Sequence, residues 1–543
     1  MRSPFLTDWL FEHAEHHPQA PAVATAAMRL TYRHLADRVR TLAGHLAASG
    51  LGPGDRVLVA LAHTPATVVA SLAVQQLGAT PVEVSREWPA AVQTGIAEQA
   101  RVRAAFVCGR DARTWGAVHA ARAFDRLWLV HGGALPAPLV EALRGAPHQL
   151  VLEDGRLDPS LDPPPPAPSP ALAPDAPALI LYTSGSTGRP RGVVQTWRNI
   201  DANTRSIVQY LGLGPQDRAL LVLPLHYCYG RSVLQTHLFV GGSVFLDNRF
   251  AFPRVVLEAL GTEGCTGFAG VPLTFEIIRR QVDVQSLSLP RLRYLTQAGG
   301  AMAVETADWV REAFRPAELF VMYGQTEATA RLSYLPPEFG ADKKGSIGIP
   351  IPGVTLRVVD DDGNPLPPGE TGHLVARGEN VTLGYLDEPE ETAAILREGW
   401  LWTGDLATRD ADGFLFHRGR SKEILKIGGH RVSPGEIEQV IARHPEVAEV
   451  AVIGVAEELK GEVAAAFVVG RGGRAPAEAD LQRFCREHLP AYMVPATITA
   501  VEALPRNEAG KLLRGELASR GPGARGASEV PGARSADAPG QQA

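Results

Sequence analysis

The chain has 543 residues, more than one hydrophobic core ordinarily serves, so at about 100 to 200 residues per domain it should divide into several packed units. With 45% hydrophobic and 21% charged residues, its composition is that of an ordinary globular protein and excludes a mostly disordered, collagenous or coiled-coil chain. A formal net charge of -6 with scattered arginines lacks the basic excess of nucleic-acid binders, and no nucleic-acid partner is expected.

The opening string MRSPFLTDWLFEHAEHH carries acids and histidines where a signal peptide needs an apolar run. No window reaches the roughly 18 apolar residues of a membrane span. Cys108, Cys228, Cys265 and Cys485 lie far apart without a CxxC pair, which suggests neither a zinc site nor a disulfide framework. A cytoplasmic protein is expected. From Thr7 to about Leu152 helical stretches alternate with short apolar runs. Leu35, Val39, Leu42, Ala43 and Leu46 recur at helical spacing and predict a helix over Tyr32–Ala48, and Arg56–Leu61, after Gly-Pro-Gly-Asp, predicts a buried strand. The alternation argues for an α/β layer fold with a largely parallel sheet. A proline-rich stretch, 159–177, reads as an extended surface connector separating two subdomains.

The second α/β block runs from Ala178 to about Gly419, with strands expected at Leu179–Tyr182 and Leu220–Leu223. The first of these leads into Tyr182-Thr-Ser-Gly-Ser-Thr-Gly-Arg-Pro-Arg-Gly192. Four Ser/Thr hydroxyls and three glycines in this string suit close approach to phosphate oxygens. It is not a Walker loop, because no Gly-Lys-Ser or Gly-Lys-Thr occurs. A string of this kind alone also suits a flexible surface turn. Beyond 420, Ser433-Pro-Gly-Glu436 reads as a capping box ahead of the stripe Ile437, Val440, Ile441. His444-Pro445 should stop that helix, and Val450–Val455 should be a strand. The stretch from about Gly521 lacks periodicity and reads as disordered. Of 53 basic residues only six are lysine, so each surviving lysine carries a slightly raised prior for function.

The loop resembles the phosphate-binding signature of the acyl-adenylate-forming superfamily of acyl-CoA synthetases, adenylation domains and luciferases. Tyr323-Gly-Gln-Thr-Glu327, Trp402-Thr-Gly-Asp-Leu406, Gly419-Arg-Ser-Lys-Glu-Ile-Leu-Lys-Ile-Gly-Gly429 and Leu504-Pro-Arg-Asn-Glu-Ala-Gly-Lys511 follow in that family's order. The resemblance covers about Thr7 to Leu517. The fold expected is α/β: a large AMP-binding domain, 1–420, of two α/β subdomains plus a β-barrel-like piece, a small mobile α+β lid domain, 421–517, and a tail, 518–543.

The resemblance implies a role for each matching position. Thr183, Ser184, Gly185, Ser186, Thr187, Gly188 and Arg191 would hold phosphates, Arg191 standing where the family carries lysine. Tyr323 and Gly324 would form a slot for adenine. Thr326 would meet the α-phosphate, and Glu327 would bind Mg²⁺, a hard cation that takes oxygen ligands. Asp405 would accept the ribose hydroxyls and Arg420 would contact ribose and phosphate. Lys511 would be the catalytic lysine, Lys422 the hinge, and Lys426, Gly428 and Gly429 the lining of a thiol channel. His226, Tyr227, Tyr229, Gly299 and Gly300, with Phe268 to Pro272, would wall the acyl pocket or belong to the core. His226-Tyr227 replaces the Phe-Asp pair by which amino-acid-activating domains hold an ammonium, so an α-amino acid is disfavoured and an aromatic or medium acyl acid suits the pocket.

The activity implied is an ATP-dependent, AMP-forming acid:CoA ligase using ATP, Mg²⁺ and CoA on a small carboxylic acid. The alternative is a stand-alone adenylation enzyme that loads a separate carrier protein's phosphopantetheine or forms an amide.

Overall fold

The structure, a computed structural model, describes residues 5–108, 111, 115, 126–131, 148–152, 164, 170–184, 190–423, 425–427, 430–457, 461–506 and 512–518. The fold is mixed α/β, and the chain separates into two compact units, Met1–His417 and Arg418–Ala543.

Short runs of Val, Leu, Ile and Ala build the large unit as parallel strands, which require cover on both faces and therefore read as continuous apolar segments. One sheet runs in the order Gly384–Tyr385, Pro190–Thr196, Pro177–Ser184, Thr80–Glu83, Arg56–Ala60, Ala104–Cys108, Arg126–His131, His148–Leu152. A second runs Ile349–Pro350, Ser333–Leu335, Glu318–Tyr323, Tyr294–Gln297, Gly267–Gly270, Arg218–Leu221, Ser243–Leu246, Pro21–Ala24, Arg29–Thr31. Strands from both sides of the proline-rich stretch share both sheets, so that stretch is not a boundary between subdomains. Pro177–Ser184 returns to pair in parallel with Thr80–Glu83, Val82 opposite Ile180. The stiff composition of 159–177 reports a local connector and carries no information about which sheet the chain re-enters; most of it lies outside the described residues.

Between the sheets lies one core in which Val57, Val59 and Phe106 meet Leu221, Val244 and the helices Leu6–His16, Tyr32–Ala48, Pro65–Gln76 and Cys228–Val240. Pro65–Gln76 is buried from Pro65 to Gln75, as expected of a helix apolar on every side. Tyr32–Ala48 has the predicted limits, and the Thr31 hydroxyl caps it by accepting from the His34 amide. The strand expected at Leu220–Leu223 runs instead from Arg218 to Leu221, ending where the chain turns at Pro224–Tyr227. Deep in this core Glu83 and Arg231 pair at 3.0 Å, both essentially inaccessible to water. Burial pushes the Glu83 carboxyl up, against the opposing pull of Arg231. The barrel-like piece corresponds to an antiparallel sheet in the order Val354–Val359, Gly372–Gly378, Trp400–Arg409, Leu396–Arg397.

The small unit has its own sheet, His430–Val432, Leu425–Ile427, Gly461–Gly470, Val447–Glu457, with Thr497–Ala500 parallel to Gly461–Gly470. Helices Pro434–Ile441 and Glu478–His488 cover it through Ile437, Ile441, Leu481 and Cys485. The predicted capping box does not form. The Glu436 amide donates to the Ser433 carbonyl, while the Ser433 hydroxyl makes no cap bond and lies over Gly419, where an added Cβ would sit 2.6 Å from it. Among the described residues no helix is long and apolar enough to cross a membrane, and none of the four cysteines, all buried, forms a disulfide.

Candidate functional site

The glycine and hydroxyl-rich string joins two antiparallel strands. Pro177–Ser184 and Pro190–Thr196 pair antiparallel, with Thr183 opposite Arg191 and Ser184 opposite Pro190. Gly185, Ser186, Thr187 and Gly188 lie outside the described residues, as does the Ser184 side chain. Gly192 must be glycine, because a Cβ would meet the Tyr182 ring at 2.9 Å. Arg191 is mostly buried, 2.8 Å from Glu391 and 3.7 Å from Glu388, with its guanidinium 5.3 Å from the centre of the Tyr385 ring. A phosphate reaching Arg191 therefore competes with two carboxylates.

Strand Glu318–Tyr323 feeds Gly324-Gln325 and a single turn, Thr326–Ala328. The chain doubles back so tightly that a Cβ on Gly324 would lie 2.0 Å from the Ala330 carbonyl oxygen. Gly324 is thus required by the protein's own backbone. Buried Gln195, on the strand after the loop, donates to the Thr326 and Thr329 carbonyls at 3.2 Å each and ties this turn to the hairpin. Thr326 is buried, its hydroxyl 3.4 Å from Cys228 Sγ, and burial pushes that thiol up and leaves it unreactive.

Half-buried Glu327 accepts a 2.8 Å hydrogen bond at Oε1 from the Tyr385 hydroxyl. Burial, then the Glu327 carboxylate, raise the Tyr385 phenol well above its usual range, so it remains a donor. Tyr385 arrives on the short strand Gly384–Tyr385, paired with Val193 and Val194 of the hairpin. An oriented carboxylate beside a threonine hydroxyl is an oxygen-only donor set, which suits Mg²⁺ held jointly with phosphate oxygens.

Asp405, on strand Trp400–Arg409, is 3% exposed. Its Oδ2 accepts from the Tyr323 hydroxyl at 2.6 Å, and His417 Nε2 lies 3.4 Å from Oδ1. The Thr403 hydroxyl accepts from the Asp405 amide across Gly404, whose φ of 77° is a left-handed turn. The Tyr323 and His417 rings are 6.1 Å apart. Arg420, half-buried, and exposed Lys422 belong to the small unit. There Lys426 lies on strand Leu425–Ile427 with its side chain outside the described residues, as are Gly428, Gly429 and Lys511 entirely.

In the acyl region Gly299 adopts φ 87°, and a Cβ there would sit 2.4 Å from the Tyr227 hydroxyl. Gly300 gives its carbonyl to the Gln297 amide at 2.8 Å. His226 is pushed down to about 4 by burial and by neighbouring His63, itself lowered to about 4 by burial while it donates from Nε2 to the Leu221 carbonyl. Tyr229 lies in the core: its hydroxyl donates to Thr296 at 2.8 Å, and its ring faces the Arg331 guanidinium at 4.1 Å. It also lines an internal cavity of about 20 Å³ with Phe268, Thr296 and Arg331.

Tyr385, His417, Gln195 and Arg331 were not expected from the sequence. His417 faces Asp405 from the strand after a tight turn at Asp410–Gly413, which a hairpin pattern would have suggested. Tyr385 is 58 positions from Glu327, and no local spacing links them.

Residues 10–386 match the family described as AMP-binding enzyme, and residues 436–511 match the AMP-binding enzyme C-terminal domain. A feruloyl-CoA synthase of Amycolatopsis sp is 33% identical over 522 residues, covering 96% of this chain and 100% of that protein. A 2-succinylbenzoate–CoA ligase of Bacillus pumilus is 32% identical over 515 residues, 95% of this chain and 98% of that one. Among solved structures, o-succinylbenzoate CoA synthetase of Bacillus subtilis with its acyl-adenylate intermediate superposes with a TM-score of 0.80 at 27% identity, over 94% of this chain and 97% of that one.

Proposed function

The chain belongs to the AMP-binding enzyme family and is an AMP-forming acid:CoA ligase that uses ATP, Mg²⁺ and CoA, and on that premise we propose the residues that carry each step and the kind of acid they serve. The observation that carries the reading is the meeting, in one unit, of the Tyr323–Asp405–His417 cluster with the Glu327–Tyr385 pair.

In the first step a carboxylate oxygen of the acid bonds to the α-phosphorus of ATP, and the bond to pyrophosphate breaks. Charge stays on phosphate oxygens throughout, so the protein contributes positioning and electrostatic stabilisation. Asp405, buried and held by Tyr323, accepts the ribose hydroxyls. Thr326 meets the α-phosphate, the backbone and hydroxyls of 183–188 with Arg191 hold the others, and Lys511 contacts the attacking carboxylate. Glu327, oriented by the Tyr385 hydroxyl, would hold Mg²⁺, which would supply positive charge to the phosphates and the pyrophosphate leaving group. In the second step the CoA thiol attacks the acyl carbon of the mixed anhydride, losing its proton, and AMP leaves. Lys426, Gly428 and Gly429 line the thiol's path, after movement about Lys422. Relatives that are CoA ligases favour CoA over a carrier protein or an amine as acceptor. His226-Tyr227 favours an aromatic or medium acyl acid over an α-amino acid, and cysteines that form no disulfide favour a cytoplasmic setting.

The test is ATP/pyrophosphate exchange with a panel of aryl, short, medium and long acids and amino acids. Lys511→Ala should slow exchange by at least roughly 10² to 10³ fold, the effect of deleting one preorganised donor. Near-normal exchange in that variant would remove Lys511 from the first step. Gly429→Leu should block thioester formation and spare exchange; equal loss of both would remove the channel assignment.

A further inference from the structure

Arg331 is 3% exposed, yet among the described residues no carboxylate lies within ion-pairing distance of its guanidinium. Its contacts are a thioether, a backbone carbonyl, the Tyr210 hydroxyl and the Tyr229 ring, all uncharged. Nε lies 3.3 Å from Met322 Sδ, Nη1 donates to the Ala330 carbonyl at 3.3 Å, and the group sits 4.1 Å from the Tyr229 ring centre. The acidic groups around it, the Tyr210, Tyr227 and Tyr229 phenols and the Cys228 thiol, are all raised by burial and so stay protonated. Elsewhere in the core the chain pairs its buried arginine, Arg231, with Glu83. A buried cation without a counter-ion is costly, and an arginine, which stays charged, cannot escape that cost by losing its proton.

The guanidinium faces the cavity of about 20 Å³, whose other polar lining is Tyr210, Tyr229, Ser232, Thr236, His237, Tyr294 and Thr296. Those groups already have partners: Tyr210 donates to Met322 Sδ, Tyr229 to Thr296, Ser232 to the Tyr229 carbonyl, Thr236 to the Val233 carbonyl, and His237 Nε2 bonds the Tyr294 hydroxyl. The cavity adjoins the proposed acid site. Tyr229 and Phe268 belong to the acyl region, and Cys228, next in the chain, touches Thr326.

We propose that this cavity receives the far end of the acid substrate and that this end carries a second carboxylate, bound by Arg331, so that the enzyme is selective for dicarboxylic acids. The proposal rests on the acid-activating function above. It makes Arg331 a specificity determinant: the planar fork takes a carboxylate in two parallel hydrogen bonds, which an ester or a methyl group cannot replace.

The experiment compares aliphatic and aromatic dicarboxylic acids with their monomethyl esters in CoA ligation by the full chain, for the unmodified enzyme, Arg331→Met and Arg331→Lys. The best diacid should exceed its ester by about 100-fold or more in kcat/KM. Arg331→Met should abolish that preference while leaving KM for ATP unchanged, and Arg331→Lys should restore part of it. An unmodified enzyme that prefers monoesters or simple monoacids at every size overturns the proposal, as does an Arg331→Met enzyme that keeps the diacid preference. If Arg331→Met does not fold, the diacid-to-ester ratio of the unmodified enzyme decides alone. If no acid supports Lys511-dependent exchange, the proposed function fails; if monoacids do and diacids gain nothing, only the diacid selectivity fails.

Discussion

Tyr385→Phe isolates one hydroxyl. The substitution deletes the hydroxyl's 2.8 Å bond to Glu327 and its bond with Arg191, and leaves the ring itself in place. Glu327 has no salt bridge among the described residues, so the phenol is what fixes its carboxylate. Without it, binding a metal must order a glutamate side chain, which costs up to about 1.5–2 kcal/mol of rotamer freedom. Because Glu327 is only half-buried, part of that freedom survives in water-exposed rotamers, and about 1 to 2 kcal/mol corresponds to roughly a 5- to 30-fold loss at 1.4 kcal/mol per tenfold. The assay is pyrophosphate exchange titrated with Mg²⁺ at fixed ATP: half-saturation should move to higher Mg²⁺ by that factor, with the rate at saturating Mg²⁺ within a few fold of normal. An unchanged Mg²⁺ midpoint, or a tighter one, refutes the claim that Tyr385 orients a metal-binding Glu327.

Gly299→Ala should raise KM for the acid at least tenfold and leave KM for ATP alone, because the new methyl meets Tyr227 at 2.4 Å and a left-handed backbone costs a non-glycine residue about 1–2 kcal/mol; an unchanged acid KM would separate Tyr227 from the substrate. His63 and His226 are both lowered from 6.5 to about 4 in the folded protein, so the unfolded chain takes up protons that the native state refuses between those values. Stability should be complete above about pH 6.5 and fall as pH drops toward 4, read as Tm against pH; the doubly substituted His63→Gln, His226→Asn protein should show a flatter profile, and an equally steep one would place the loss elsewhere.

What the sequence makes legible is whatever one continuous segment carries. The strands Pro177–Ser184 and Pro190–Thr196 on either side of the phosphate-type string follow its apolar flanks, and Tyr323, Thr326 and Glu327 stay together because one strand and one turn hold them. Partners supplied by another segment depend on strand register, which no local pattern encodes. Tyr385 reaches Glu327 only because Gly384–Tyr385 pairs with Val193–Val194 at the edge of a sheet assembled from both sides of the proline-rich stretch. Misreading that stretch as a divider and missing Tyr385 have one cause: composition reports stiffness, whereas position in a sheet is decided by which strands accept each other's hydrogen bonds.

Arg331 shows the same limit in energetic form. In the sequence it is one of many arginines, four positions beyond Glu327, and an arginine there would ordinarily point to water. The fold closes over it because Asn203 and Asn380 both donate to its backbone carbonyl, at 3.1 and 2.9 Å, and fix the segment against helix Trp197–Leu211. Tyr210 and Tyr229 then wall its side chain in. Burial turns a common residue into a cation with no carboxylate partner among the described residues. A second carboxylate on the acid substrate would supply the missing negative charge. Adenylation consumes one carboxylate charge per turnover in forming the mixed anhydride; a site for a second one selects by what remains on the substrate after that step, so the preference for a diacid should persist in the release of acyl-AMP as well as in its formation.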